Sequence, residues 1–259
     1  MILTTEQYKL FSSYIGYGVL NKPLICFFGN ESGTGQQTVD NYIPKFIKDL
    51  NTWETIQFKE DKINGFVLKH IYDLPVSSIF LQFIARLMLA IEYKDDKWFG
   101  SLSGSGIAFV NNYIVNRFNR ENTCVFNLRP LPRPNQKIAW PYLNINETNY
   151  NSNYNFINKN SKTDEFKEIR MNAFKNGFKQ IKGTLIIGVG NKTNKRAFFQ
   201  TLYPTIQFKE LILNDKLEIY YSKECKIILS NYFDNISGIK LSGLREMYYF
   251  IKDNNLLLK

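Results

Sequence analysis

The chain has 259 residues, of which 44% are hydrophobic and 22% charged, and its formal net charge is +10. The length suits one large α/β domain with a substantial core better than two small ones, and the composition is that of an ordinary soluble globular protein. Lys and Arg number 33 against 23 acids, which favours nucleic acid as a partner ahead of an acidic membrane surface, with compositional drift as the alternative.

The three cysteines, Cys26, Cys124 and Cys225, are widely separated and form no CxxC pair, which argues against a zinc or iron–sulfur site. Buried thiols in a reducing compartment explain them best. The N-terminal residues lack the basic and long apolar regions of a signal peptide. No apolar stretch approaches the ~20 residues needed to cross a bilayer. We therefore expect a cytoplasmic protein that binds neither membrane nor metal.

In chain order, apolar spacing first predicts a helix within residues 4–20, with Thr4 or Thr5 as its N-cap. Further helices are predicted over 38–50, 77–93, 164–179, 192–202 and 241–251, and a helix or extended segment over 107–118. Residues 53–58 and 65–69 suit a hairpin, and 217–221 a strand. An Asn-rich segment around 143–162 reads as a surface insertion or irregular loop of a single domain spanning 1–259.

Four short apolar runs each break into a polar loop, and they cover residues 24–28, 124–126, 184–187 and 226–229. Runs of this length, bounded by Gly, Pro and Asn, are typical of buried strands in a parallel sheet. Their alternation with helices predicts a layered α/β domain. Because ligands of such sheets bind beyond the carboxyl ends of the strands, the residues that follow the four runs are the first candidates for a site.

The first loop, Gly29-Asn-Glu-Ser-Gly-Thr-Gly35, has glycines that let the backbone approach a ligand and aim N–H groups at an anion. It lacks the Lys-Ser/Thr pair of a P-loop and the glycine spacing of a dinucleotide fingerprint. Glu31 stands in the mouth of this loop, where its carboxylate can activate water. A solvated loop glutamate is the alternative interpretation.

The second loop begins at Asn127, whose amide can offer both a donor and an acceptor to a base edge. Arg129 and Arg133 follow on a proline-stiffened turn that suits phosphate contacts. The alternative is a rigid surface turn in which Asn127 satisfies nearby backbone groups.

The third loop leads into a short helix that carries three basic residues, Lys192, Lys195 and Arg196. A helix N-terminus with added positive charge is a phosphate site, although runs of charge also occur as solvated faces.

The fourth loop offers Asn231 as a hydrogen-bond donor and Tyr232 and Phe233 as a pair of aromatics. Such a pair can act as a wedge entering a duplex, or one ring can point into the core. His70 is the single histidine and lies in a strand-like run, where a structural role is favoured. This argues against acyl-transfer hydrolysis, which would need a histidine near a nucleophile.

In order and kind, these loops resemble those of the uracil-DNA glycosylase superfamily. Gly29-Asn-Glu-Ser-Gly33 is similar to that family's Gly-x-Asp/Asn-Pro-Gly/Tyr or Gly-Glu-Ala-Pro-Gly motif. Glu31 matches the water-positioning Asp or Asn, and Asn30 matches the Glu of the second pattern. Asn127 matches the base-reading Asn, and the segment from Asn127 to Pro134 is similar to Asn-x-x-x-Cys-Arg-Pro-Pro. The third strand with its glycines, Ile187–Gly190, fits as well.

The fourth motif departs from the family pattern, which has His-Pro-Ser or Asn-Pro-Ser before a wedge residue. Here only Asn231 can be matched, with neither His nor Pro beside it, and Ser32 replaces the proline of the first motif. The four-cysteine cluster of some branches is absent.

The resemblance implies a three-layer α/β/α sandwich around a central, mostly parallel four-stranded sheet. It implies a metal-independent DNA glycosylase, without a cofactor, that hydrolyses the N-glycosidic bond of a flipped uracil-like or modified pyrimidine, such as a hypermodified cytosine of phage DNA. The catalytic residues would be Glu31, Asn30 and Asn231. Substrate would contact Gly29, Gly33, Asn127, Tyr232 and Phe233. The basic residues of the second and third loops would hold DNA, and we expect a monomer.

Two alternatives stay open. The missing His and Pro favour a DNA-binding protein that keeps the fold without catalysis, whereas Glu31 together with Asn127 favours an enzyme. A nucleotide phosphohydrolase would need metal, and the sequence has no carboxylate cluster with evident ligand spacing.

Overall fold

The computed structural model describes residues 1–30, 37–60, 63–69, 71, 74–133, 139–158, 164–213, 217–233 and 239–257. Within these residues the chain is mixed α/β. The α-helices are α1 Thr5–Ser13, α2 Val39–Leu50, α3 Ile79–Tyr93, α4 Gly104–Asn116, α5 Glu147–Asn153, α6 Glu165–Gln180, α7 Lys192–Leu202 and α8 Leu241–Asp253. The strands are β1 Tyr14–Gly18, β2 Ile25–Gly29, β3 Thr55–Glu60, β4 Ile63–Leu68, β5 Thr123–Asn127, β6 Leu185–Val189, β7 Lys209–Leu213, β8 Leu217–Ser222 and β9 Ile227–Ser230.

The strands form one sheet in the order β3-β4-β1-β5-β2-β6-β9-β8-β7. Its centre, β5-β2-β6-β9, is parallel throughout and consists of the four strands predicted from the apolar runs. β1 and β8 flank this centre in antiparallel orientation. The α/β prediction is confirmed, but the expected four-stranded sheet is wrong because further strands extend both of its edges.

Each of the central strands contains an uninterrupted apolar run because both faces of the sheet are covered. In β2, Cys26 and Phe28 face one core cluster, which includes residues of α1, α2, α5, α6 and α7. Ile25 and Phe27 face the other, which includes residues of α3, α4 and α8. Successive side chains of a strand point to opposite faces, so a run without polar alternation is what two covered faces require.

Several predicted elements are confirmed, and two need correction. Thr4 caps α1 and accepts a hydrogen bond from the Gln7 N–H at 3.1 Å. The helix expected over 4–20 ends at Ser13, because the next residues form β1 and pair with β4 and β5. Residues 107–118 are largely helical. The Asn-rich segment contains α5, and its Tyr150 and Tyr154 are buried, so it packs against the domain.

Among the described residues, no helix combines the length and the apolar composition that crossing a membrane requires.

Candidate functional site

The four central strands deliver four loops to one edge of the sheet. Because β5, β2, β6 and β9 are parallel, their carboxyl ends lie side by side. Backbone hydrogen bonds join the neighbouring loops: the Arg129 N–H donates to the Asn30 carbonyl at 2.6 Å, and the Gly190 N–H donates to the Ser230 carbonyl at 2.9 Å. Residues far apart in sequence therefore meet at this edge.

Three of these loops are tied together by what we call the Lys195 network, formed by Lys195, Asn30, Tyr232 and the Gly190 carbonyl. The Lys195 amine donates to Asn30 Oδ1 and to the Gly190 carbonyl oxygen. The Asn30 amide nitrogen in turn donates to the Tyr232 hydroxyl. The network joins the residue after β2, the helix after β6 and the loop after β9.

Two glycines make room for the polar side chains of this edge. A Cβ on Gly29 would stand 2.9 Å from Asn127 Oδ1, so the Asn127 amide lies directly over the end of β2. A Cβ on Gly190, whose φ is +80°, would stand 2.5 Å from the Tyr232 ring. Gly29, which was interpreted from the sequence as part of an anion-binding loop, therefore admits the Asn127 side chain, and Gly190 admits the Tyr232 ring.

Asn127 is held in place by a residue that the sequence analysis missed. The guanidinium of Arg170, in α6, donates to the backbone carbonyl of Asn127 and to that of Leu128 at 3.2 Å. It also donates to the carbonyl of Phe11 at 3.2 Å and to that of Tyr14, so it joins α1 and β1 to β5. Arg170 is 1% exposed, and burial lowers its pKa to about 10, which keeps it protonated at neutral pH.

A signal for Arg170 was present in the sequence. It stands four residues from both Phe166 and Phe174, on the face of α6 that packs inward, and its guanidinium lies 4.8 Å from the centre of the Phe174 ring. A charged residue that recurs at the spacing of the buried apolar residues of a helix is expected to be buried too, and to hydrogen-bond buried polar groups there.

Lys195, one of the two lysines predicted to contact DNA from the third loop, is not at the surface. Lys195 has 0% exposure, and burial, followed by the positive charge of Arg129, lowers its pKa well below the ordinary value. Its amine lies 5.7 Å from the centre of the Phe28 ring. Because α7 turns this side chain inward, a direct contact between Lys195 and a DNA phosphate is contradicted.

The other predicted phosphate contacts occupy varied positions. Lys192 pairs with Glu218, and the Arg196 guanidinium lies 4.3 Å from the centre of the Tyr220 ring, so both pack on β8. Arg133 is buried; it donates to Glu147 at 3.2 Å and stacks on a neighbouring tryptophan. Arg129 is half-buried beside the first loop.

The two aromatics of the fourth loop separate. Tyr232 is 42% exposed, whereas Phe233 is 4% exposed and packs against Phe83 with ring centres 5.9 Å apart. The expectation that Phe233 contacts substrate is therefore wrong, because its ring completes the core beneath α3. Asn231 is exposed at the same edge as Tyr232.

Glu31, Gly33 and His70, singled out from the sequence, lie outside the described residues. In the described part of the chain, no group of three His, Cys, Asp or Glu side chains is arranged to hold a metal ion.

The described site can donate and accept hydrogen bonds but holds no exposed ammonium. Asn127 offers an amide that is 7% exposed, Asn30 is half-buried, and Tyr232 presents a phenol. These groups suit recognition of a flat polar ring such as a nucleobase. No protein-family model, curated protein or solved structure matches this chain.

Proposed function

We propose that this chain is a DNA glycosylase that hydrolyses the N-glycosidic bond of a flipped uracil-like or modified pyrimidine. The observation that carries the proposal is the meeting of Asn30, Asn127 and Tyr232 at the carboxyl edge of four parallel strands. A net charge of +10 supports a polyanionic partner. In this proposal the covered sheet acts as the three-layer sandwich of a glycosylase, with additional strands at both edges.

Each residue of the site has a task in the proposed reaction. Asn127 hydrogen-bonds the edge of the flipped base, for which its amide has both a donor and an acceptor. Glu31, directly after Asn30 in the chain, orients water toward the sugar, and its negative charge stabilises the oxocarbenium-like transition state. Asn231 and Tyr232 face the departing base, whereas Arg129 and Arg196 are the candidates for contacts to DNA phosphates.

The experiment is base release from defined DNA in the presence of a chelator. Duplex and single-stranded oligonucleotides carry uracil, hypoxanthine, or hydroxymethylated or glucosylated cytosine, and mass spectrometry detects the free base while alkali reveals abasic sites. Glu31→Gln should abolish release and leave DNA affinity nearly intact. The matched control is Lys252→Met, which removes an exposed charge on α8.

Three outcomes contradict the proposal in different ways. Tight DNA binding without release from any substrate indicates a binding protein on this fold. Release that occurs only with added divalent metal and is accompanied by phosphate-ester cleavage indicates a phosphohydrolase. Loss of both binding and release in Glu31→Gln indicates that Glu31 has a structural role.

A further inference from the structure

The Lys195 network runs from the interior of the protein to its surface. Lys195 is fully buried, Asn30 is half-buried and Tyr232 is exposed, and each hydrogen-bonds the next. The buried amine thus reaches the surface through one amide and one phenol. Burying an amine costs free energy of folding, so a buried lysine at this position indicates that its contacts have a role.

The direction of the hydrogen bonds follows from the chemistry of the groups. The Lys195 amine donates to two oxygens, the Gly190 carbonyl and Asn30 Oδ1, so the oxygen of the Asn30 amide faces the amine. The nitrogen of the same amide then faces Tyr232 and donates to the hydroxyl oxygen. A phenol that accepts this bond has its own hydrogen directed to another partner. The two hydrogen bonds of the Asn30 amide therefore run in one direction, from Lys195 in the core to Tyr232 at the surface.

The surroundings of Lys195 hold its amine in this place. A Cβ on Gly188 would stand 3.1 Å from Lys195 Cδ, so the side chain passes across the end of β6 where that strand has no side chain. The preceding residue, Asn194, is itself buried; its amide donates to the Tyr154 carbonyl at 2.9 Å and accepts from the Phe156 N–H at 2.7 Å. These contacts anchor the first turn of α7 and with it the lysine.

We propose that Lys195 is a positioning residue which, by fixing the Asn30 amide, orients the Tyr232 phenol to donate a hydrogen bond to the departing base. This inference rests on the proposed glycosylase function. As the C–N bond breaks, its electron pair stays on the base, and the Tyr232 O–H stabilises the resulting negative charge without transferring its proton. Water forms the new C–O bond to the sugar carbon, and the proton that this water releases reaches the base anion through solvent. Tyr232 thus acts as a hydrogen-bond donor in the fourth loop, beside Asn231.

An Asn30→Asp substitution tests whether the direction of the hydrogen bond between residue 30 and Tyr232 matters, because it keeps the contact with Lys195. The new carboxylate still accepts from Lys195, so the buried amine keeps its partner. It cannot donate to Tyr232, however, and instead accepts from the phenol, which turns the hydroxyl hydrogen inward. The predicted consequence is loss of the outward donor while the Lys195 contact is kept.

The test is a single-turnover assay on a duplex oligonucleotide carrying uracil opposite guanine, or glucosylated hydroxymethylcytosine if the wild type cleaves that base instead. Tyr232→Phe, Asn30→Asp and Lys195→Met should each lower the chemical rate about 100-fold. Their DNA affinities should stay within about twofold of wild type, since phosphate contacts dominate affinity. Lys252→Met, on the exposed face of α8, should change neither quantity.

Combining the variants separates positioning from general structural damage. If Lys195 acts through Tyr232, the Lys195→Met/Tyr232→Phe double variant should be about as slow as either single variant. A double variant whose losses multiply overturns the inference, as does an Asn30→Asp variant that cleaves at the wild-type rate. Asn30→Asp and Tyr232→Phe decide the question even if Lys195→Met does not fold. A wild type that releases no base overturns the proposed function instead, which is a separate outcome.

Discussion

The Asn127 amide lies over Gly29, with its Oδ1 atom 2.9 Å from the position that a Cβ on that glycine would occupy. The two residues stand opposite each other in the β2–β5 register, at the ends of both strands. The side chain proposed to read the base therefore depends on the absence of a side chain on the neighbouring strand.

Gly29→Ala should consequently displace Asn127 and lower the rate of base release while the chain stays folded. The added methyl group forces the amide out of its place, and a misplacement of about 1 Å can cost about 100-fold in rate. Single-turnover cleavage measures the effect. The control is Gly104→Ala, because a Cβ there meets nothing within 4 Å. Equal activity of the two variants would contradict the role of Asn127.

Gly190→Ala should destabilise the fold and separate Tyr232 from Asn30. Its positive φ of +80° costs an L-residue about 1–2 kcal/mol, and the new methyl group would collide with the Tyr232 ring. The free energy of unfolding in urea measures the loss. Gly183→Ala is the matched control, since Gly183 has φ +87° and open space around its Cβ position. A loss no greater than that of the control would show that the Tyr232 contact adds nothing.

Arg170→Met should lower the free energy of unfolding by at least about 2 kcal/mol, because several buried carbonyls lose their donor. Lys175→Met, on the exposed face of the same helix, should stay within about 0.5 kcal/mol of wild type. Chemical denaturation of the three proteins decides this. If Arg170→Met lowers the free energy of unfolding only slightly, water must donate to these carbonyls in place of the guanidinium.

The buried lysine predicts a pH dependence of stability with a definite sign. Burial and the charge of Arg129 lower the pKa of Lys195 in the folded chain, whereas in the unfolded chain it stays near its usual value of about 10.4. Between those two values the unfolded state binds more protons, so folding becomes more favourable as the pH rises. The unfolding free energy of wild type, relative to Lys195→Met, should therefore increase as the pH rises toward about 10.4. A difference that is flat or falls over this range would contradict a lowered pKa.

The central strands were accessible to sequence analysis because each is a short apolar run that ends at Gly or Asn and is buried on both faces. The strand β1 was not, because Tyr14–Gly18 continues the helical apolar spacing of α1 and is defined by pairing with β4 and β5, which are distant in the chain. Local pattern carries no information about such partners.

In the candidate site, too, some residues could be predicted from the local sequence and others depended on packing between distant parts of the chain. Asn127 and Tyr232 were found because they follow buried strands. Lys195 was found as a basic residue but assigned to the wrong side, since its burial depends on how α7 is rotated against the sheet. Phe233 was misassigned for the same reason: adjacent residues of an extended loop face opposite ways, and sequence alone does not say which ring enters the core.

The Lys195 network also sets a condition on biosynthesis. Its hydrogen bonds join residues separated by 165 and 202 positions in the chain, so the side chains of the site come together only after the fourth loop has been translated. Contacts of such long range carry a large loop-closure entropy and tend to form late in folding. A nascent chain that stops before Tyr232 lacks the phenol to which the Asn30 amide donates. We therefore expect the side chains of the site to come together in one late step of folding, after all four loops have been translated.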